Sequence, residues 1–271
     1  MTGLLGTPSG DWHGGAASPR ALCVLAPNPS PMTLDGTNTW VLHEPGASTA
    51  LVVDPGPDDE GHLQAVLTAV RSRGAQVAKV LLTHAHLDHS AGARRFAELS
   101  DAPVLALDPL QRSGSEGLGE GDVVHADDLD VQVVATPGHT SDSLSFLLPA
   151  DSAVLTGDTV LGRGTTVVAH PDGRLEDYLE SLQRLGSLAD SGAVHTVLPG
   201  HGPVLADAGA VVRAYLAHRQ SRLAQVSAAL EAGDRTPREV VERVYADVDR
   251  ALWPAAELSV RAQLEYLSGR S

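Results

Sequence analysis

Three histidines and one aspartate fall within six residues, His84-Ala85-His86-Leu87-Asp88-His89, directly behind an apolar run from Val77 to Leu82. Imidazole and carboxylate suit Zn²⁺ and neighbouring first-row metals. In a regular helix or strand these side chains cannot easily converge on one tetrahedral ion. In a loop that follows a strand, alternate residues diverge toward two adjacent ions, His84 and His86 toward one, Asp88 and His89 toward the other. The chain must therefore fold so that a strand end presents this loop. Two adjacent metals point to hydrolysis, because they can share a hydroxide and stabilise both the attacking and the departing oxygen.

Four ligands do not complete two sites, and the same device recurs three times downstream. Val131 to Ala135 reads as a strand and runs into Thr136-Pro137-Gly138-His139-Thr140. Ala153-Val154-Leu155 runs into Thr156-Gly157-Asp158, and Thr196-Val197-Leu198 into Pro199-Gly200-His201-Gly202-Pro203. Each time a short apolar strand delivers one ligand-type side chain from a glycine-containing turn. Any one block alone is also compatible with a plain turn; the ordered set of seven is hard to assign to chance.

The ordered set resembles the metallo-β-lactamase superfamily, whose members carry an H-x-H-x-D-H loop, a later histidine, a bridging aspartate and a last histidine. The resemblance runs from roughly Gly36 to Pro203, with every ligand position filled. It implies an α+β fold, an αββα sandwich. It also implies that His84, His86 and His139 hold a first metal, Asp88, His89 and His201 a second, with Asp158 bridging. The implied cofactor is two Zn²⁺, with Mn²⁺ or Fe²⁺ as alternatives, and the implied nucleophile is a metal-bridging hydroxide. Asp88 is the candidate proton shuttle. Asp54, before Pro55-Gly56, is placed by the same resemblance behind the metal loop, where it would orient a ligand histidine.

Further stretches resemble the lactamase-beta-like endoribonuclease group. These are Asn28-Pro29-Ser30-Pro31-Met32-Thr33-Leu34-Asp35-Gly36-Thr37-Asn38-Thr39, the run Leu161 to Thr166, and Asp177 to Leu182. The helical C-terminal stretch resembles that group's small winged-helix-like domain, although it leaves little room for a β-wing. This implies phosphodiester hydrolysis of short single-stranded RNA. The alternatives are a glyoxalase II-like hydrolase of thioesters or lactones, and a mononuclear-iron persulfide dioxygenase. Asn38, Thr165 and Thr166 are candidate substrate contacts; a turn also accounts for Asn38, and β-branched strand positions account for Thr165 and Thr166 somewhat better. Tyr178 reads as a core-facing helix residue.

Composition narrows the partners. The net charge is −15 and Lys79 is the sole lysine, which argues against duplex DNA, since phosphate binding draws on clustered cations. A small molecule or a short single strand remains open, with Arg94, Arg95, Arg163 and Arg174 as candidate rim residues. Cys23, the single cysteine, fits a reducing compartment as a buried or edge-strand residue. No apolar run is long enough to span a membrane, and the N-terminus lacks signal-peptide character, so a cytoplasmic enzyme is expected.

The expected organisation is a flexible leader over 1–20, a catalytic domain over 21–206 and a helical domain over 207–271. Within it, Thr39 to His43 and Thr49 to Asp54 read as strands, and Asp58 to Arg73 as a helix ending at Gly74. Ser90 to Leu99 reads as the next helix, and Gln111 to Gly121 as a loop overhanging the site. Asp207 to Glu231 is a long helix, and Thr236-Pro237-Arg238-Glu239 opens another with a capping box. This tail covers the sandwich, part of the substrate, or a second copy in a homodimer.

Overall fold

The apolar runs become strands buried on both faces, which is why they read as continuous rather than alternating hydrophobics. The computed structural model describes residues 11–269. A six-stranded sheet holds, in spatial order, β1 (Gly15–Ala16), β2 (Ala21–Leu25), β3 (Asn38–Leu42), β4 (Thr49–Val53), β5 (Gln76–Leu81) and β6 (Val104–Leu105). Strands β1 to β4 pair antiparallel, while β4–β5 and β5–β6 are parallel. A five-stranded sheet holds β7 (Val123–Ala126), β8 (Leu129–Ala135), β9 (Leu144–Leu148), β10 (Ala153–Gly157) and β11 (Thr196–Pro199), with β11 and β7 at its edges.

The period of two sorts the side chains into layers. Trp40, Leu42, Leu51, Val53 and Leu81 meet Leu144, Phe146, Leu148 and Leu155 between the sheets. Their alternates Val41, Ala50, Val52 and Val80 face outward onto α1 (Glu60–Ser72) through Leu63, Val66, Leu67 and Val70. On the far side, Leu147, Val154 and Val197 pack against later helices. Each fully buried Leu, Val or Phe contributes about 1.5–3 kcal/mol relative to exposure. The result is the αββα sandwich.

The segment after the metal loop differs from the single helix expected over Ser90 to Leu99. It forms α2 (Leu87–Ser90), starting inside the loop, and α3 (Ala93–Ser100). The break is at Gly92, whose N–H donates to Gly56 O at 2.9 Å. A Cβ there would lie 2.6 Å from Pro57 O, so only glycine allows this approach. The run Gln111 to Gly121 is also not an overhang. Ser113 bridges back to Val104, and Leu118 is buried in the inter-sheet core. The preceding turn at Leu107, Asp108 and Pro109 is what shares a cavity with Ala85.

The remaining helices are α4 (Leu175–Asp190), α5 (Ala208–Glu231), α6 (Pro237–Val244) and α7 (Trp253–Ser268). Tyr178 is fully buried and its hydroxyl donates to Thr159 O at 2.7 Å, a core role. Thr236 and Glu239 form the capping box at the start of α6. Helix α5 begins just past the boundary expected between Ala206 and Asp207, yet it does not belong to the tail alone. Its residues Ala208, Val211, Val212 and Tyr215 join the core under the five-stranded sheet, whereas Val226 and Ala229 join a separate tail core with Val240, Val241, Trp253 and Val260. The leader reading is corrected over residues 11–20. Gly15 and Ala16 pair with Cys23 and Leu22, and Trp12 packs on the inter-sheet core, so the segment is held by an edge strand. Residues 1–10 of that leader lie outside the described residues. Among the described residues no helix is long and apolar enough to cross a membrane.

Candidate metal centre

All seven ligand-type side chains meet at one end of the sandwich, where β5, β8, β10 and β11 each end in the turn that carries them. His84 Nε2 and His139 Nε2 lie 3.1 and 3.0 Å from His86 Nδ1. His201 Nε2 lies 3.2 Å from His89 Nε2 and 3.1 Å from Asp88 Oδ2. Asp158 stands between the two groups. Its Oδ1 is 3.4 Å from both His89 Nε2 and His201 Nε2, and its Oδ2 is 3.6 Å from His139 Nε2.

The nitrogens that face away from the centre are held. His139 Nδ1 donates to Val167 O at 2.7 Å, and His201 Nδ1 to Gly36 O at 3.1 Å. His89 Nδ1 donates to Asp54 Oδ2 at 2.8 Å. Thr83 Oγ1 donates to the same carboxylate at 2.7 Å and accepts from His84 Nδ1 at 2.9 Å. In each case Nδ1 carries a proton, which makes Nε2 the nitrogen turned toward the centre. Asp54 thus orients two ligands at once. Its turn-forming role holds as well, with φ at 52° before Pro55.

This donor set fits a divalent cation. Ring nitrogens at 3.0–3.2 Å from one another lie a little inside the edge of about 3.3–3.4 Å that a tetrahedron with metal–nitrogen bonds of about 2.0–2.1 Å would have, so a small opening of the site admits the ion. Asp158 Oδ1 is buried without a hydrogen-bond partner, a costly state unless a cation meets it. Gly200 makes room for this: a Cβ there would sit 2.7 Å from Asp158 Oδ1 and 2.8 Å from His89 Cε1. His84, His89 and His201 are buried while His86 is exposed and Asp88 half-buried, so the centre opens to solvent on one side, as a reactive site requires.

The electrostatics divide the same way. Burial holds the His84 and His139 imidazoles below their usual range. Burial acts in the same sense on His89 and His201, but Asp158 outweighs it, aided by Asp54 at His89 and by Asp88 at His201. His89 is held well above its usual range and His201 is pushed up to about 9. Burial would raise Asp158, yet His201 and His89 hold it well below the usual carboxylate range. The centre is a buried anion in search of positive charge.

The three residues expected to touch substrate divide differently. Asn38 is fully buried: its Nδ2 donates to Pro199 O at 2.9 Å and Gly202 O at 2.8 Å, and its Oδ1 accepts from Trp12 Nε1 at 2.7 Å. It pins the His201 turn and is out of reach of substrate. Thr166 is also buried, its hydroxyl donating to Asp158 O at 2.7 Å. Thr165, half-buried, lines the cavity between sandwich and tail. Of the rim arginines, Arg95 pairs with Glu60 and Glu98, Arg163 with Asp35, and Arg174 with Glu176 and Asp177, while Arg94 is exposed and makes no ion pair among the described residues. Residues missed from sequence are His218 and Arg219, which share the cavity wall with Thr165. Their only sequence signal is position: Tyr215, Arg219, Arg222 and Val226 recur at helical spacing and are all buried.

Known proteins carry the same features. Residues 32–201 match the metallo-beta-lactamase superfamily, and residues 236–270 match the beta-lactamase associated winged helix domain. The chain is 32% identical over 252 residues to the beta-lactamase-like protein 2 homolog of Caenorhabditis elegans, covering 90% of this chain and 82% of that one. It is 36% identical over 230 residues to the atrochrysone carboxyl ACP thioesterase of Aspergillus fumigatus, covering 82% and 69%. A metallo-beta-lactamase family protein from Thermus thermophilus superposes with a TM-score of 0.77 at 23% identity, over 94% and 95% of the two chains. With the sandwich, the ordered His/Asp set and the appended tail all accounted for, the chain belongs to the metallo-beta-lactamase superfamily, as a hydrolase.

Proposed function

We propose that the protein hydrolyses an acyl thioester, with two Zn²⁺ held at His84, His86 and His139 and at Asp88, His89 and His201, and with Asp158 shared. The observation that supports the thioester over single-stranded RNA is the state of the rim cations: Arg95, Arg163 and Arg174 are paired with carboxylates, which leaves Arg94 as the one exposed cation of these four without an ion pair. A strand of RNA draws its affinity from free Lys and Arg. The relative named as an ACP thioesterase supports the same choice.

Divalent ions at this centre supply Lewis acidity toward the acyl carbonyl and lower the pKa of water to about 7. The chain's own residues do the rest. Asp88 is the most exposed of the centre's carboxylates, its side chain 28% accessible, and its Oδ2 is fixed by His201. Burial acts to raise Asp88, but the His201 hydrogen bond and His89 keep it ionised at neutral pH, able to take a proton from attacking water. Water adds to the acyl carbon, the C–S bond breaks, and the proton taken at Asp88 passes to the departing sulfur, giving acid and thiol. Asp54 and Thr166 keep the ligands aimed.

The test is metal content together with a split panel of N-acetylcysteamine thioesters and a short fluorogenic single-stranded RNA. Two metals per chain and thioester turnover that vanishes in Asp88→Ala is the expected result. RNA cleavage without thioester turnover would overturn the thioester reading in favour of the nuclease. One iron with neither activity would overturn the hydrolytic reading in favour of persulfide oxidation.

A further inference from the structure

Asp158 and the carbonyl behind His139 belong to one irregular segment, residues 158–174, which runs from the end of β10 to the start of α4 without helix or strand. A segment without a ladder must have its buried backbone groups met by side chains from elsewhere. Two helices supply them. From α4, the Tyr178 hydroxyl donates to Thr159 O at 2.7 Å. From α5, the Tyr215 hydroxyl accepts from Leu161 N at 2.9 Å and donates to Leu161 O at 3.2 Å. One turn further along α5, Arg219 Nη2 donates to Thr166 O at 2.5 Å.

Thr166 is where these holds reach the centre. Its Oγ1 donates to Asp158 O at 2.7 Å, and the next carbonyl, Val167 O, accepts from His139 Nδ1 at 2.7 Å. On the side of the centre, Asp158 Oδ2 and His139 Nε2 lie 3.6 Å apart. A shift of Thr166 O therefore moves a carboxylate and an imidazole of the centre together.

Arg219 is an expensive means of holding one carbonyl. It is 6% exposed, its guanidinium lies 4.7 Å from the centroid of the Tyr178 ring, and its Nε is buried without a hydrogen-bond partner. No carboxylate pairs with it among the described residues. A charge buried without a counter-ion is costly, and a methionine or leucine would fill the space without that cost. What the guanidinium adds is a charge-assisted donor, roughly twice as strong as a neutral one.

We propose that Arg219 is a positioning residue of the metal centre. By fixing Thr166 O it holds Asp158 and His139 at their spacing, so the helix on which the tail is built sets how tightly the centre grips its ions. The proposal rests on Asp158 and His139 being metal ligands and is independent of the thioester reading.

The test uses the full chain, stripped of metal and reloaded. Arg219→Met keeps most of the stem and removes the donors. It should weaken Zn²⁺ affinity by about 10–100-fold, read by competition with a chromogenic chelator. It should also shift the visible absorption of the Co²⁺-loaded protein, which reports ligand geometry. Arg222→Met is the matched control, since Arg222 lies on the same helix, is 8% exposed and donates to Val244 O at 2.8 Å in the tail. That variant should lose stability in denaturant as Arg219→Met does, yet keep the wild-type Zn²⁺ affinity and Co²⁺ spectrum. Wild-type affinity and spectrum in Arg219→Met would overturn the proposal. Equal losses in both variants would overturn it too, because they would report general loosening. If Arg219→Met does not fold, Arg219→Lys decides. Its ammonium keeps the charge but ends one bond short of Nη2, so it should weaken affinity in the same sense, and wild-type affinity there overturns the proposal. Wild-type protein that takes up no Zn²⁺ would overturn the centre itself, and this proposal with it. Neither readout uses a substrate, so a failure of thioester turnover leaves the proposal standing.

Discussion

The His/Asp centre and the cavity beneath the tail are a few residues apart and built on opposite plans. At the centre, His84, His89, His139 and His201 are each held from behind by an oxygen of Thr83, Asp54, Val167 or Gly36. Such a set is over-determined, and only the species at its middle is left to be supplied. In the wall under the tail, by contrast, Arg219 Nε and His218 Nδ1 are buried with nothing to bond. The contrast teaches where polar pairing is concentrated: each of these four rings of the centre is held by a partner, while the wall under the tail leaves buried polar atoms unmet.

The largest expected break of this contrast is at Asp158. Asp158→Ala or Asp88→Ala should lower kcat on the thioester panel by about 10³-fold or more, with far-ultraviolet circular dichroism unchanged. Next comes pH. In protein stripped of metal, His201 carries its second proton up to about 9 and must lose it to ligate. Metal affinity should therefore rise with pH by at least about tenfold per unit until pH 9, His89 adding a second proton to be released, with the release visible as a buffer-dependent heat. The metal-free fold should behave oppositely. The raised His201 pKa stabilises it fully below about 6.5, and that contribution disappears as pH rises through about 9. Asp54→Asn follows, because the amide keeps the shape but not the charge behind His89 and Thr83. It should weaken metal affinity by about 10–100-fold, read by competition with a chromogenic chelator. The smallest effect sharpens the comparison from the other side. Thr236→Ala removes the cap of α6 and should cost about 1 kcal/mol in denaturant unfolding while leaving metal content untouched.

What was legible in the sequence was what is local. Each ligand is delivered by a strand and its turn within a few residues, so the whole set could be read in order, and the apolar runs gave the strands that carry it. Asp54 was half legible, since Asp-Pro-Gly signals a turn whether or not its carboxylate faces a histidine. Asn38 was misread because its partners at Pro199 and Gly202 lie 161 and 164 residues away, and no local pattern announces them. Strand β1 escaped notice because a two-residue strand has no period. His218 and Arg219 escaped because a buried cation on a helix is defined by the surface opposite, here the Thr165–Thr166 backbone and Tyr178.

Helix α5 has a further consequence. Its 24 residues make a rod of about 36 Å at ~1.5 Å per residue, rooted at one end beneath the five-stranded sheet and at the other in the tail core. Two hydrophobic clusters that share one beam cannot melt independently, since unwinding the beam for either exposes the apolar face of both. A calorimeter should record a single heat-absorption peak for the whole molecule, and scission at the start of the beam should abolish it. The tail is therefore no detachable part of this molecule, because the helix it is built on is rooted in the core of the sandwich.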